Sequence, residues 1–424
     1  MNTDPDADPE LPGAARGLLA TGPLCDACLG RPFADRSFGL RNDERGGALR
    51  VTVALDDDVD FEPGAGADCW VCEGITSRYD DLADRAVEAL ADTEFFTYQA
   101  GTRVPPLVEE NDELLREGAD LPADAGEELR SEVNREVGRR IGAETGSEVD
   151  FDRPDVQLLI DLDADEVGIQ RNSVSVFGRY RKLERGIPQT HWEKYGTSVE
   201  ELVAPTLVSA HRGTEGMFHG AGREDVDALM LGTGRPFVLE IEDPRRRDLD
   251  LGELEAEIND LREGRVEVEG LRYATHEMVE RVKELDASKT YRMDVTFEEP
   301  VDEGSLADAI EQLDGATVRQ RTPERVSHRR ADLVRERTVH SMTGEPREPD
   351  RAELEVHGEG GLYVKELVSG DGGRTEPSLS GLLGVGATVT HLDVVAVEGD
   401  AERFDHPDYL RAVRAGSSSA ESEG

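Results

Sequence analysis

Cys25 and Cys28 in CDAC, with Cys69 and Cys72 in CWVC, are residues whose type and spacing suit metal chemistry. A C-x-x-C turn is a knuckle that offers two thiolates to one ion, and two such turns complete a tetrahedral set. The same spacing also reads as two separate redox or disulfide pairs. No cysteine is left over, which favours one structural zinc, and four thiolates leave no open position for catalysis at the metal. The long stretch between the two knuckles must carry a small fold of its own.

A second group lies in the run from His219 to Asp227, HGAGREDVD, which leads into LGTGRPFVLEIEDPRRR. A turn that brings Arg223 beside Asp225 would lower the carboxylate pKa and keep it ionised as a nucleophile or base. Taken alone, a salt-bridged turn accounts for these residues better, since loops rich in Gly, Asp and Arg are common. A third group is GRYRKLERGIPQT, where Arg179, Arg181, Lys182 and Arg185 stand against Glu184 alone. In an acidic chain this cluster reads as a phosphate-contacting surface for RNA rather than a solvated face. Residues 319–337 hold seven arginines against three acids, which suits either a salt-bridged helix or RNA contact.

Periodicity outlines the elements that must position these groups. Leu82, Ala86, Val87 and Leu90 mark one helix face, and Leu129, Val133, Val137 and Ile141 mark another. Two strand-like runs follow, Val156–Leu162 and Gly168–Phe177. Further on, Phe237, Leu239 and Ile241 alternate with Glu240 and Glu242, and Tyr291, Met293, Val295 and Phe297 form a second alternating set. Val389, Leu392 and Val394 follow less regularly, and Leu251–Arg262 reads as a helix. The expectation is an α+β chain: residues 13–77 a zinc-binding module, 78–190 a mixed helix-and-strand domain, and 195–412 a domain on a mixed, mainly antiparallel sheet. Residues 1–12 and 413–424 read as disordered ends.

The 424 residues suffice for two or three domains. They contain 93 Asp and Glu against 48 Lys and Arg, a formal net charge of −45, and lysine occurs at five positions only. Acid excess with scarce lysine fits a halophilic protein, in which salt screens charge over about 3 Å at 1 M. Net charge then says nothing against a nucleic-acid partner. No apolar run approaches the roughly 18 residues of a membrane span, and the acidic N-terminus lacks a signal-peptide layout. The chain reads as soluble and cytoplasmic. Nucleotide-binding glycine loops, HExxH and GxSxG motifs do not occur.

HGAGREDVDALMLGTGRPFVLEIEDPRRR resembles the signature of the archaeal-type tRNA pseudouridine synthases that act on uridines 54 and 55. KTYRMDV at 289–295, QRTPERVSHRRADLVRER at 320–337 and GLYVKELVSGDGGRTEPSLSGLLG at 361–384 are similar to that family's later motifs, in order. The paired knuckles and GRYRKLERGIPQT match upstream, so the resemblance spans nearly the whole chain.

The resemblance implies a THUMP RNA-binding domain at 78–190 and a pseudouridine synthase domain at 195–412. It implies Asp225 as catalytic carboxylate, Tyr291 stacked on the target base, Tyr363 as a second substrate contact and Lys365 as the cation paired with Asp225. Gly372 stands where that family often carries a larger aromatic. The implied partner is tRNA at its T-loop, with structural zinc, no organic cofactor, no membrane and no obligate protein partner. Isomerising uridine consumes no energy source and oxidises nothing, which suits the missing nucleotide and redox motifs. The competing readings are a tRNA-binding protein without catalysis and another THUMP-linked tRNA-modifying enzyme, the latter needing a cofactor or ATP loop.

Overall fold

The computed structural model describes residues 11–262, 264–285, 287–327, 331–398, 404 and 406–411. The expected disordered ends fall almost wholly outside them, although Leu11 and Pro12 already open a helix, Leu11–Ala20. The chain divides into two compact units, with the break after Asn172. No helix of the described residues is long and apolar enough to cross a membrane.

The first unit joins the expected zinc module and the start of the second block over one core, which runs without interruption from Ala14 to Leu162. The stretch between the knuckles carries the helix Asn42–Asp57. Leu129, Val133, Val137 and Ile141 all face inward from the helix Leu129–Thr145, which ends at Gly146 in the left-handed conformation (φ 71°). Leu82 and Ala86 do the same from Tyr79–Ala89. These helices cover a four-stranded sheet in the order Glu148–Val149, Thr97–Arg103, Val156–Asp161, Glu166–Arg171.

The second unit is built on a ten-stranded sheet. Its order is Thr375–Glu376, Thr317–Arg321, Val334–Glu348, Arg351–Gly358, Ser288–Phe297, Ala387–Glu398, Met230–Glu242, Val174–Lys182 and Val266–Ala274. Glu215–Gly220 pairs separately with Met230–Glu242. All pairings are antiparallel except a single parallel bridge between Val394 and Met230, so the sheet is mixed and mainly antiparallel as expected.

Three expectations are corrected. The run Gly168–Phe177 is two strands in different sheets: Glu166–Arg171 pairs with Val156–Asp161, whereas Val174–Lys182 pairs with Met230–Glu242 and Val266–Ala274. The boundary placed at 190 therefore lies at 172–173, because strand pairing, which periodicity does not see, decides ownership. The two ends of the arginine-rich segment lie in an antiparallel pair, Thr317–Arg321 with Val334–Glu348. Alternation along Met230–Glu242 is also incomplete: residues 234–241 are all buried, Glu240 included, since both faces of the strand are covered.

Candidate active site

Asp225 lies in the segment between the strands Glu215–Gly220 and Met230–Glu242, on the wall of a cavity of about 770 Å³ in the second unit. Gly222, at φ +70°, turns the chain in a conformation that side chains resist. The Asp225 Oδ2 accepts a bond from Lys365 Nζ at 2.7 Å. Burial alone would raise the Asp225 carboxyl. The Lys365 bond and charge, with the more distant charges of Arg325 and Lys182, overcome burial and hold the carboxyl below its usual range. A carboxylate kept ionised on the wall of an open cavity, its side chain 44% exposed, is a nucleophile or base ready for use.

Lys365 reaches this point from the first turn of the short helix Val364–Ser369, and Tyr363 caps that helix. The two residues thus stand at a helix start. Gln320, almost fully enclosed, clamps the Tyr363 backbone: its amide oxygen accepts the Tyr363 N–H and its amide nitrogen donates to the Tyr363 carbonyl, both at 2.9 Å. Tyr291, on Ser288–Phe297, also lines the cavity. Burial chiefly, with the Asp225 charge, pushes its hydroxyl up to about 12, so it stays neutral and available for stacking.

Arg223 lines the same cavity but has no hydrogen-bond or ion-pair partner among the described residues. The expected pairing with Asp225 is absent, and Lys365 fills that role. Residues that spacing did not single out also border the site. Arg325 lies on the wall, its Nε 2.7 Å from Glu366 Oε1. Glu224 and Arg235 pair at 2.9 Å with both side chains enclosed, and Glu224 also receives the Tyr180 hydroxyl at 2.9 Å. The sequence signal for Glu224 was its charge beside Asp225, which does not say which carboxylate points inward.

The expected phosphate-contacting cluster is largely turned on itself. Lys182 is fully enclosed and cannot meet a phosphate. Arg179 donates to the carbonyls of Thr233, Gly234 and Val397. Arg181 pairs with Glu267 and Glu269, and Arg185 with Asp393. Spacing could not anticipate this, because each partner comes from a distant strand or loop.

In the first unit the four cysteine sulfurs are buried, unpaired as disulfides, and all within 4.8 Å of one another. Cys25 and Cys72 sulfurs stand 3.8 Å apart, and thiolates at 2.3 Å from one tetrahedral ion are separated by roughly that distance. The Cys28 amide and Arg31 guanidinium donate toward these sulfurs, which suits thiolates sharing an ion, and the Thr76 hydroxyl lies 3.3 Å from the Cys25 sulfur. The set can hold a metal, and the two-disulfide alternative does not match it.

Family models described as "Pus10, C-terminal" and "Pus10 THUMP domain, archaeal" match residues 175–398 and 82–161. The chain is 58% identical over 421 residues to the tRNA pseudouridine synthase Pus10 of Halorubrum lacusprofundi, covering 94% of this chain and 98% of the relative. The proteins of that name from Methanothrix thermoacetophila and Thermofilum pendens are 41% and 38% identical. The alignments span 92% and 91% of this chain and 95% of each relative.

Proposed function

The chain belongs to the Pus10 family and is a tRNA pseudouridine synthase, an isomerase, and from that premise we propose that it converts uridines 54 and 55 of the T-loop, with Asp225 as the reacting carboxylate. The observation that carries this reading is the 2.7 Å Asp225–Lys365 pair facing a nucleotide-sized cavity beside Tyr291. The reaction breaks the bond from base N1 to sugar C1′, turns the base, and joins its C5 to the same C1′. The C5 proton leaves and N1 gains one, so nothing is oxidised. Asp225 attacks the sugar or removes a proton from it, and either act needs the unprotonated state that Lys365 maintains. A uridine inside folded RNA must leave its stack to be reached, and the neutral ring of Tyr291 replaces that stacking. Tyr363 and Arg223 complete the substrate contacts, Arg223 as the cation for a phosphate.

Arg319 and Arg335 on the paired strands supply further cations for the RNA backbone, whereas Asp332 holds Arg321 and Glu359 stands 3.5 Å from Arg337. In the first unit the THUMP domain assists tRNA binding, and the four cysteines hold one structural zinc, which would supply stability and no chemistry. Metal analysis should then find one zinc per chain. The enzyme acts in the cytoplasm.

The test is pseudouridine formation on an unmodified tRNA transcript in high salt, comparing the wild type with Asp225→Ala. Pseudouridine at 54 and 55 that vanishes in the variant supports the reading. Folded protein that binds the transcript and leaves it unmodified would instead make the chain a tRNA-binding protein.

A further inference from the structure

Lys182, Glu224 and Arg235 form a cluster of charges closed to solvent, one residue away from Asp225. An ammonium has three N–H donors, and three carbonyls receive those of Lys182: Ile187 at 2.8 Å, Asp225 and Val226 at 3.2 Å each. The Glu224 carboxylate lies 3.6 Å from that ammonium as its counter-charge and takes Arg235 Nε at 2.9 Å. Arg235 also donates to the Ala221 carbonyl at 2.7 Å. Gln189 donates to the Gly222 carbonyl and the Tyr180 hydroxyl, both at 2.9 Å. Its amide fits because position 220 is glycine, where an added Cβ would come within 2.3 Å of it.

The main chain on both sides of Asp225 is thus held by these side chains together with the Gly186 and Ala228 amides, which donate to the Val226 and Asp225 carbonyls at 3.0 Å each. The same groups hold the segment from Ile187 to Gln189, whose next residues, Thr190, His191 and Trp192, line the cavity. Enclosing such charges is a poor way to gain stability, since apolar side chains of similar volume usually serve as well or better. A compact ammonium with three rotatable donors suits three converging carbonyls, whereas a planar guanidinium fork does not.

We infer that Lys182, with Glu224 as its counter-charge, is a positioning residue that sets the Asp225 backbone and the Ile187–Trp192 loop at one fixed separation across the bound nucleotide. This rests on Asp225 carrying the reaction. Misplacing a reacting group by about 1 Å costs on the order of 100-fold in rate, and the loss belongs to the step after binding.

The experiment compares wild type, Lys182→Met, Glu224→Gln and Asp225→Ala by single-turnover pseudouridine formation at saturating enzyme, by tRNA affinity and by thermal melting, all in high salt. In folded Lys182→Met the saturated rate should fall roughly 100-fold with tRNA affinity unchanged, and Glu224→Gln should show a smaller loss of the same kind. The inference is overturned if the saturated rate of the folded protein is unchanged, or if the loss appears in tRNA affinity instead. If Lys182→Met does not fold, Glu224→Gln decides by the same criteria. Failure of both to fold makes the cluster a structural core feature and also overturns it. Activity surviving in Asp225→Ala is a different result, which removes the reading of Asp225 itself.

Discussion

Arg31 in the first unit and Lys182 in the second are both fully enclosed cations, yet their surroundings put them to different use. Arg31 faces side chains. It pairs with Asp112 and with Glu132 at 2.9 Å, and it donates toward the Cys28 sulfur. Those partners sit on the helices Pro106–Glu117 and Leu129–Thr145 and on a cysteine knuckle, so the network fastens regular elements and closes on itself. Lys182 faces main-chain carbonyls of two irregular segments, one of which presents Asp225 to a cavity. A buried charge satisfied by side chains holds a scaffold. One satisfied by loop carbonyls holds a geometry.

The sharpest way to break this contrast is at Asp225. Asp225→Ala should lower the saturated rate by about four orders of magnitude, as removal of a reacting group does elsewhere, while the melting temperature hardly moves. A drop of only a few-fold would take the reaction away from this cavity.

Arg31→Met should behave oppositely. It takes the enclosed cation from Glu132 and leaves Asp112 with Arg116 alone, at a cost of about 3–5 kcal/mol, read as a lowered unfolding midpoint of the first unit, while the saturated rate of the folded protein stays at the wild-type value. A rate loss in fully folded Arg31→Met would erase the distinction between the two networks. Metal removal should act on the same side: a chelator should melt the first unit and leave the second folded. Its far-UV circular dichroism should therefore lose helix signal in a separate step, and a single transition would count against it.

Lys365→Met should change the pH profile. Asp225 has a lowered pKa in the folded protein, so its ionised form, and the stability tied to it, is present at neutral pH and is lost as pH falls through that lowered value. Without Lys365 only the more distant charges of Arg325 and Lys182 oppose the push of burial. The acid limb of the single-turnover rate, which lies below the ordinary Asp value of about 3.9 in the wild type, should then move to higher pH. An unmoved limb would mean that another group limits the rate at low pH.

The smallest effects concern surface cations. Arg223→Gln should weaken tRNA binding several-fold, about 1 kcal/mol, as loss of one charge-assisted contact does. Arg181→Gln should leave binding almost unchanged, because Glu267 and Glu269 already hold that guanidinium. Equal losses in the two would restore the basic cluster as an RNA surface.

Several features were legible without coordinates because they are local or carried by long motifs. Knuckle spacing brings Cys25 toward Cys28 and Cys69 toward Cys72 whatever surrounds them. Apolar residues at every fourth position made Leu129–Thr145 a helix, and alternation made Ser288–Phe297 a strand. Motif order put Asp225, Tyr291, Tyr363 and Lys365 in one site, and all four line one cavity.

What stayed illegible depends on the direction of a side chain within a strand covered on both faces. Lys182 and Arg181 are neighbours in a basic run, yet one is sealed in the core and the other lies against two glutamates. The same holds for Glu224 and Asp225, adjacent carboxylates of which one is enclosed and one meets the cavity. By itself the sequence determined the chemistry available: four thiolates, a carboxylate, its lysine and two tyrosines. Only the tertiary structure decided which other charges face each other, because Arg181 and its partners Glu267 and Glu269 are 86 and 88 residues apart and their meeting depends on the pairing of distant strands, which no local pattern encodes.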